Sequence, residues 1–459
     1  MSNFDAAPPN THAGGDDDAL RPKGNGPMNH PVPPQYADEN VDMIAYSKNV
    51  PLWKRVCQHS LTQMMLLSVQ AFCGPAMTDA IAGLGGGGLA TPQTSNIATA
   101  VNYALLAIVC LLGGPIVNKL GTKWALALIQ DVGTSLSRDV GACGKYLALW
   151  IVSRNMGQLV GGVINLAKNH HKGASGGVAP DTYIAFLIIE SMALPFAFLI
   201  SPLENVVRSD GTRILVSERI GTKQEFQKIK VTMASKLVVL SALWAFWSFF
   251  YSDTWSTYLG TYFSVRSRAL SSLVSPFFCI IGCFGLGFIL DMKNVSQRRR
   301  AQIGLITVVI LNLGVYIWSI IMQTRFNAAS PGKVDWDEHL YPTAFLPYFF
   351  VQTTGPLSQS YMYWLLSSFA TDAQANMRNG AAFRCLEAVG QAVSYGMNTQ
   401  IKTSLLIGFC VTFGLLALAF APMLVLVNTV PDHIPADVIA EEQEKVYTKT
   451  ENIEASKGA

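Results

Sequence analysis

Charge is scarce in this chain. Only 14% of its 459 residues are Asp, Glu, Lys or Arg, against about 25% in a typical soluble domain. A soluble protein of this size needs more charge to cover its surface, so a cytosolic enzyme is disfavoured. The formal net charge of +3 is too small to mark a nucleic-acid partner. Catalytic signatures are lacking too: there is no HExxH zinc helix and no paired-carboxylate constellation in a soluble domain. No enzyme activity, cofactor or metal is expected. The eight cysteines form no CxxC pair and lie mostly in apolar runs, which argues against a disulfide framework. Cys279 and Cys283, four apart on one helix face, read as small packing residues. His170 and His171 read as solvated loop histidines. Residues 1–50 are polar, rich in Pro, Gly, Asn and Asp, and contain no apolar core of a cleaved signal peptide. Their composition points to a disordered tail, and so does that of 432–459.

What the chain does have is apolar length. Half of it is hydrophobic and its mean hydropathy is +0.30. A membrane span needs roughly 20 apolar residues, and runs of that kind recur near 62–82, 98–118, 146–166, 182–201, 237–260, 269–290, 303–322, 343–369, 381–400 and 403–427. The expected fold is therefore an all-α, multi-pass membrane protein of about ten spans, its main partner the lipid bilayer. With the N-terminal tail in the cytoplasm, sixteen Lys and Arg fall in inside loops and seven in outside loops, as the positive-inside rule requires. Both termini are then cytoplasmic. The sequon Asn294-Val295-Ser296 falls on an inside loop and is expected to be unused. A basic loop at 202–236 divides the chain, giving a tail at 1–55, a helical bundle at 56–201, a six-helix bundle at 237–430 and a tail at 431–459. Two bundles about a central loop are the layout of a secondary transporter.

Four blocks carry a family resemblance: CGPAMTDAIAGLGGGG (73–88), GGPIVNKLGTKWALAL (113–128), GKYLALWIVSRNMGQLVGGVINL (144–166) and FRCLEAVGQAVSYGMNT (383–399). In this order they resemble the fungal branch of the Unc-ninety-three-like family, within the major facilitator superfamily. The resemblance runs from about 55 to 430 and implies a two-bundle helical fold. The family pattern has twelve helices. Here the third is reduced to a stub after WALALIQ (124–130) and the fourth is absent, so one hairpin is missing. Loss of a pair leaves the orientation of every later span unchanged. The resemblance implies either transport of a small organic solute, possible partners being that solute and protons, or a non-transporting adaptor that serves another membrane protein such as an ion channel.

Ionisable residues inside hydrocarbon are costly and so are functional candidates. Arg154, Asn155, Gln158 and Asn165 sit in the third span, with Arg154, Gln158 and Asn165 on one broad face beside Gly157, Gly161 and Gly162. They form either a cavity wall for a polar or anionic group or an interhelical clamp. Glu190 lies in the most apolar surroundings of any acid. Its charged form is disfavoured there, which makes it a candidate proton carrier or a structural partner of Arg154. Asp253 lies among aromatic residues that would either stack on a substrate or sit at the bilayer interface. Arg384, Glu387 and Gln391 form one stripe at i, i+3 and i+7, as a coupling network or an intrahelical ion pair. Asp79 precedes GLGGGG, which lacks the ending of a phosphate loop and reads as a flexible outer turn.

Overall fold

A computed structural model describes residues 51–89, 92–120, 143–171, 177–201, 222–290, 295–369, 373–399 and 404–431, with a few short pieces between them. The helices are α1 (Leu52–Gln58), α2 (Ser60–Cys73), α3 (Pro75–Ala82), α4 (Pro92–Leu120), α5 (Cys143–Asn169), α6 (Pro180–Leu199), α7 (Thr222–Met233), α8 (Lys236–Ser248), α9 (Tyr251–Tyr262), α10 (Val265–Leu290), α11 (Gln297–Ala328), α12 (Tyr341–Ser368), α13 (Ala373–Met397) and α14 (Leu405–Val427). Two residues, Glu39 and Asn40, pair antiparallel with Thr212 and Arg213. The stretch at 121–142, where the sequence reading expects a hairpin to be missing, the sequon at Asn294 and most of both tails lie outside the described residues. Helix α1 takes up the end of the stretch expected as tail.

Local chemistry sets the helix ends. Ser235, Ser296 and Ser404 each accept a backbone N–H at the start of α8, α11 and α14, filling a donor that the first turn leaves open. Proline opens α3 and α6, where its missing N–H costs nothing. Two of the expected spans are each broken into two segments. The first bends at Gly74 (φ −95°, ψ −88°), just before Pro75, and separates α2 from α3. The second bends at Phe249, between α8 and α9. Both breaks fall in the helix that opens a bundle.

Among the described residues, seven helical segments are long and apolar enough to cross a membrane: Ser60–Ala82, Pro92–Gly113, Pro180–Leu199, Lys236–Tyr262, Val265–Leu290, Gln297–Ala328 and Leu405–Val427. The other three expected spans coincide with the more polar helices α5, α12 and α13. Large apolar side chains line the outer faces, among them Leu187 and Ile188 on α6 and Ile281, Phe284 and Phe288 on α10. Outward-facing apolar rows of this kind belong against lipid.

In one bundle α5 packs against α2 and α3, and α2 packs against α6; the other bundle is built from α8 to α14. Its core is aromatic. Trp244, Trp247, Trp255, Tyr258, Phe263, Tyr316, Phe345 and Tyr361 are all buried together, with Trp244 edge-on to Trp247 at 4.9 Å between centroids. This corrects the bilayer-interface reading of the aromatic run around Asp253: these rings fill a core rather than marking a membrane surface. Helix α4 runs along α13, and the bundles meet where α5 runs along α10. Small residues permit the second contact. A Cβ on Gly162 would lie 2.5 Å from the Leu273 Cα.

Candidate functional site

The face of α5 splits into two roles. Its glycines are packing surface: a Cβ on Gly157 would meet the Phe72 carbonyl oxygen at 2.6 Å, and one on Gly161 the Ala80 Cβ at 2.6 Å. Asn165 is fully buried and donates to the Ala80 carbonyl (3.0 Å) and to Ser272 Oγ (2.8 Å), clamping α5 to α3 and α10. Arg154 does something else. Its Nε and Nη2 both donate to Asp79 Oδ2, at 3.0 and 2.9 Å, and both side chains remain over one-third exposed. Asn155 and Gln158 are half-buried on the same helix.

The sequence offers Glu190 either as a proton carrier or as the structural partner of Arg154. The acid in salt-bridge contact is Asp79, because the break at Gly74 turns α3 so that Asp79 faces α5. Glu190 instead accepts from the Thr78 hydroxyl at 3.5 Å. Asp79 and Arg154 both lie within electrostatic range of Cys279 on α10.

The α13 stripe contributes a second charged pair. Arg384 bonds Glu387, and Gln359 Nε2 on α12 donates to both Glu387 oxygens at 2.9 and 3.1 Å. The pair is therefore tied to a second helix and is not solely intrahelical. Glu387 is fully buried. Gln391, on the same stripe, faces the hydroxyl of Tyr103 on α4. Tyr103 stacks on Tyr395 (5.9 Å between centroids, 23°) and lies within electrostatic range of Asp79, Arg384 and Glu387 together. It marks the point where charged groups of both bundles converge. Tyr103 and Gln359 carry no mark in the sequence, since neither has a charged residue beside it in its span.

Asp253 on α9 is fully enclosed. Its Oδ2 accepts from Asn398 Nδ2. The Asn398 carbonyl accepts from Asn96 Nδ2 on α4 at 3.3 Å, and Asn96 Nδ2 also donates to Thr257 Oγ1 at 3.0 Å.

The Gly-rich run is no flexible turn. Gly85, Gly86, Gly87 and Gly88 all have positive φ, the region open to glycine at little cost. The Gly86 N–H donates to Ser256 Oγ (2.7 Å), Tyr183 donates to the Gly87 carbonyl (2.6 Å) and Ser271 to the Gly83 carbonyl (2.7 Å). Arg268, placed by its sequence in an outer loop, is buried in the first turn of α10. Its guanidinium points at the Leu84 and Gly85 carbonyls, at 3.5 and 3.4 Å. The run thus seals one end of the interface between the bundles. His170 and His171 are exposed, Cys279 and Cys283 are free thiols, and no metal-ligating cluster occurs among the described residues.

No family model matches the chain. It is 31% identical over 381 residues to the notoamide biosynthesis cluster protein O' of Aspergillus versicolor, an alignment covering 74% of this chain and 82% of that protein. It is 24% identical over 412 residues to UNC93-like protein 1 of Arabidopsis thaliana, covering 80% and 89%. Among solved structures, a peptide transporter POT in complex with alafosfalin superimposes with a TM-score of 0.50 at 14% identity, covering 83% of this chain and 95% of that one. The last likeness is one of fold: a two-bundle, major-facilitator-type helical membrane protein.

Proposed function

This chain belongs to the UNC93-like family and is an integral multi-pass membrane protein with a transporter-like fold; from that premise we propose that it is a secondary transporter of a small organic solute. One observation carries the reading. Asp79, which holds Arg154, and the Arg384–Glu387 pair all act electrostatically on the Tyr103 hydroxyl. Opposed charged pairs at a bundle interface suit a polar solute that is bound from both sides and released as the bundles rock. Arg154, part-exposed and bidentate, offers a guanidinium to an anionic or carbonyl group of that solute, with Asn155 and Gln158 beside it. Glu387 and Gln391 offer the opposite wall.

A relative named for a biosynthesis cluster supports a solute made by a biosynthetic pathway. Movement against a gradient requires a coupled downhill flow, and protons suit a protein in which Glu190 and Asp253 have neutral hydrogen-bond partners, Thr78 and Asn398. On this reading both termini are cytoplasmic, the loop at 202–236 joins the bundles on the cytoplasmic side, and the membrane is the plasma membrane or the vacuole. The test is solute-dependent stabilisation. Purified protein is melted against fractions of an extract of the source organism. At least one fraction should raise the melting temperature of the wild type and leave Arg154→Gln unmoved. Equal shifts in both would reject the assigned site.

A further inference from the structure

Asp253 stands apart from the other intramembrane acids by its connections. Asp79 and Glu387 each face an arginine, and Glu190 is half-buried with its hydroxyl partner, Thr78, in its own bundle. Asp253 is fully enclosed, and of its two oxygens only Oδ2 is bonded, to Asn398. Oδ1 is buried without a hydrogen-bond partner among the described residues.

The groups around it are neutral. Helix α13 presents Asn398, Ser394 and the hydroxyl of Tyr395. Helix α4 presents Asn96, with Tyr103 stacked behind Tyr395. The titratable residue of α14, Cys410, is exposed, and the Gly86–Gly88 turn carries none. An isolated carboxylate in such surroundings is expensive, whereas a neutral acid fits them.

Asn398 is the junction. Its side chain holds Asp253 on α9, while its own carbonyl holds Asn96 on α4. Anything that displaces Asn398 therefore acts on the contact of α4 with α9 and α13. Loss of the Asp253 proton would demand new donors or water at the carboxylate, because the side-chain donors beside it are already in use, the Asn398 amide on Asp253 itself and the Ser394 hydroxyl on the Phe250 carbonyl.

Resting on the reading of the chain as a secondary transporter, we propose that Asp253 is the site that takes up and releases the coupling proton, and that Asn398 and Asn96 transmit its charge state to the packing of α4 on α9 and α13. The neutral acid holds that contact; the carboxylate releases it.

The test uses the full chain in lipid vesicles without solute. Infrared difference spectra on a pH step report a protonated carboxyl through its C=O stretch. Amide hydrogen exchange, corrected for intrinsic rates, reports opening of α4 and α9. In the wild type, a carboxyl band should disappear on raising pH while α4 and α9 exchange faster, by about fivefold, the worth of one hydrogen bond. Asp253→Asn should lack that band and stay protected at every pH. Asn96→Ala should open α4 at every pH with the band still titrating, which keeps the test alive if Asp253→Asn does not fold. A band that persists in Asp253→Asn, or exchange in that variant that still follows pH, overturns the proposal. So does a wild type with no titrating band. None of these readouts needs transport: a switch that titrates in vesicles that move no solute would leave this inference standing and sink the transporter reading.

Discussion

Arg154 places two nitrogens, Nε and Nη2, on the same Asp79 oxygen, at 3.0 and 2.9 Å, leaving Asp79 Oδ1 outside this pair. A pair of this kind, both partners over one-third exposed, adds little to stability: about 0–1 kcal/mol. Its value lies in the guanidinium it holds in place at the bundle interface.

Removing the pair should therefore separate function from folding. Arg154→Gln and Asp79→Asn should each abolish solute-induced stabilisation while changing unfolding free energy by less than about 1 kcal/mol. Thermal melts with and without solute read both quantities. A large loss of intrinsic stability would assign the pair to the fold instead.

Glu387 predicts the opposite balance. It is fully buried and holds both Arg384 and Gln359. Truncating one partner of a buried charged pair costs about 3–5 kcal/mol. Glu387→Ala should therefore lower the melting temperature sharply, and Glu387→Gln, which keeps the shape and one acceptor, should lower it less.

Gly85 tests the sealed end. Its φ is +66°, and a Cβ there would lie 2.6 Å from the Leu259 Cβ and 2.8 Å from the Ser256 carbonyl oxygen. The left-handed backbone alone costs an L-residue roughly 1–2 kcal/mol. Gly85→Ala should loosen the contact of the first helix with α9, seen as faster labelling of a cysteine introduced at Ser256 than in the same variant with Gly85 intact.

Lys333 gives a pH dependence outside the spans. Burial, helped by the charge of Arg268, pushes its amine down from 10.5 to about 8, and Nζ donates to the Gly260 carbonyl at 2.5 Å. Between about pH 8 and the ordinary lysine value near 10.4, the unfolded chain then binds more protons than the folded one. Stability must rise with pH across that window. Lys333→Met should flatten the rise in melting temperature measured over the same range.

The architecture was legible in the sequence because a span is defined by composition over some twenty residues, and composition survives any packing arrangement. Asp79, Arg154, Glu387 and Asp253 stood out for the same reason: a charge in hydrocarbon is conspicuous. Their partners did not. Helical periodicity puts Arg154 on a face but does not say which helix that face meets, so the i to i+4 logic could not see that the bend at Gly74 brings Asp79 to it. Asn96, Tyr103 and Gln359 stand in spans without a charged residue to draw attention to their face, and Asn398 lies past the charged part of its own helix. The glycine run misled in a different way. Its composition resembles a loose linker, whereas its glycines are there because the backbone takes positive φ beside the atoms of α9.

The most direct measurement of the central claim is flux into sealed vesicles. Wild-type and Arg154→Gln protein are reconstituted, a pH gradient is imposed, and an extract of the source organism is offered outside, with vesicle contents analysed by mass spectrometry. The account predicts at least one small organic compound enriched in wild-type vesicles and absent from both Arg154→Gln and empty vesicles. Contents identical in all three would contradict it.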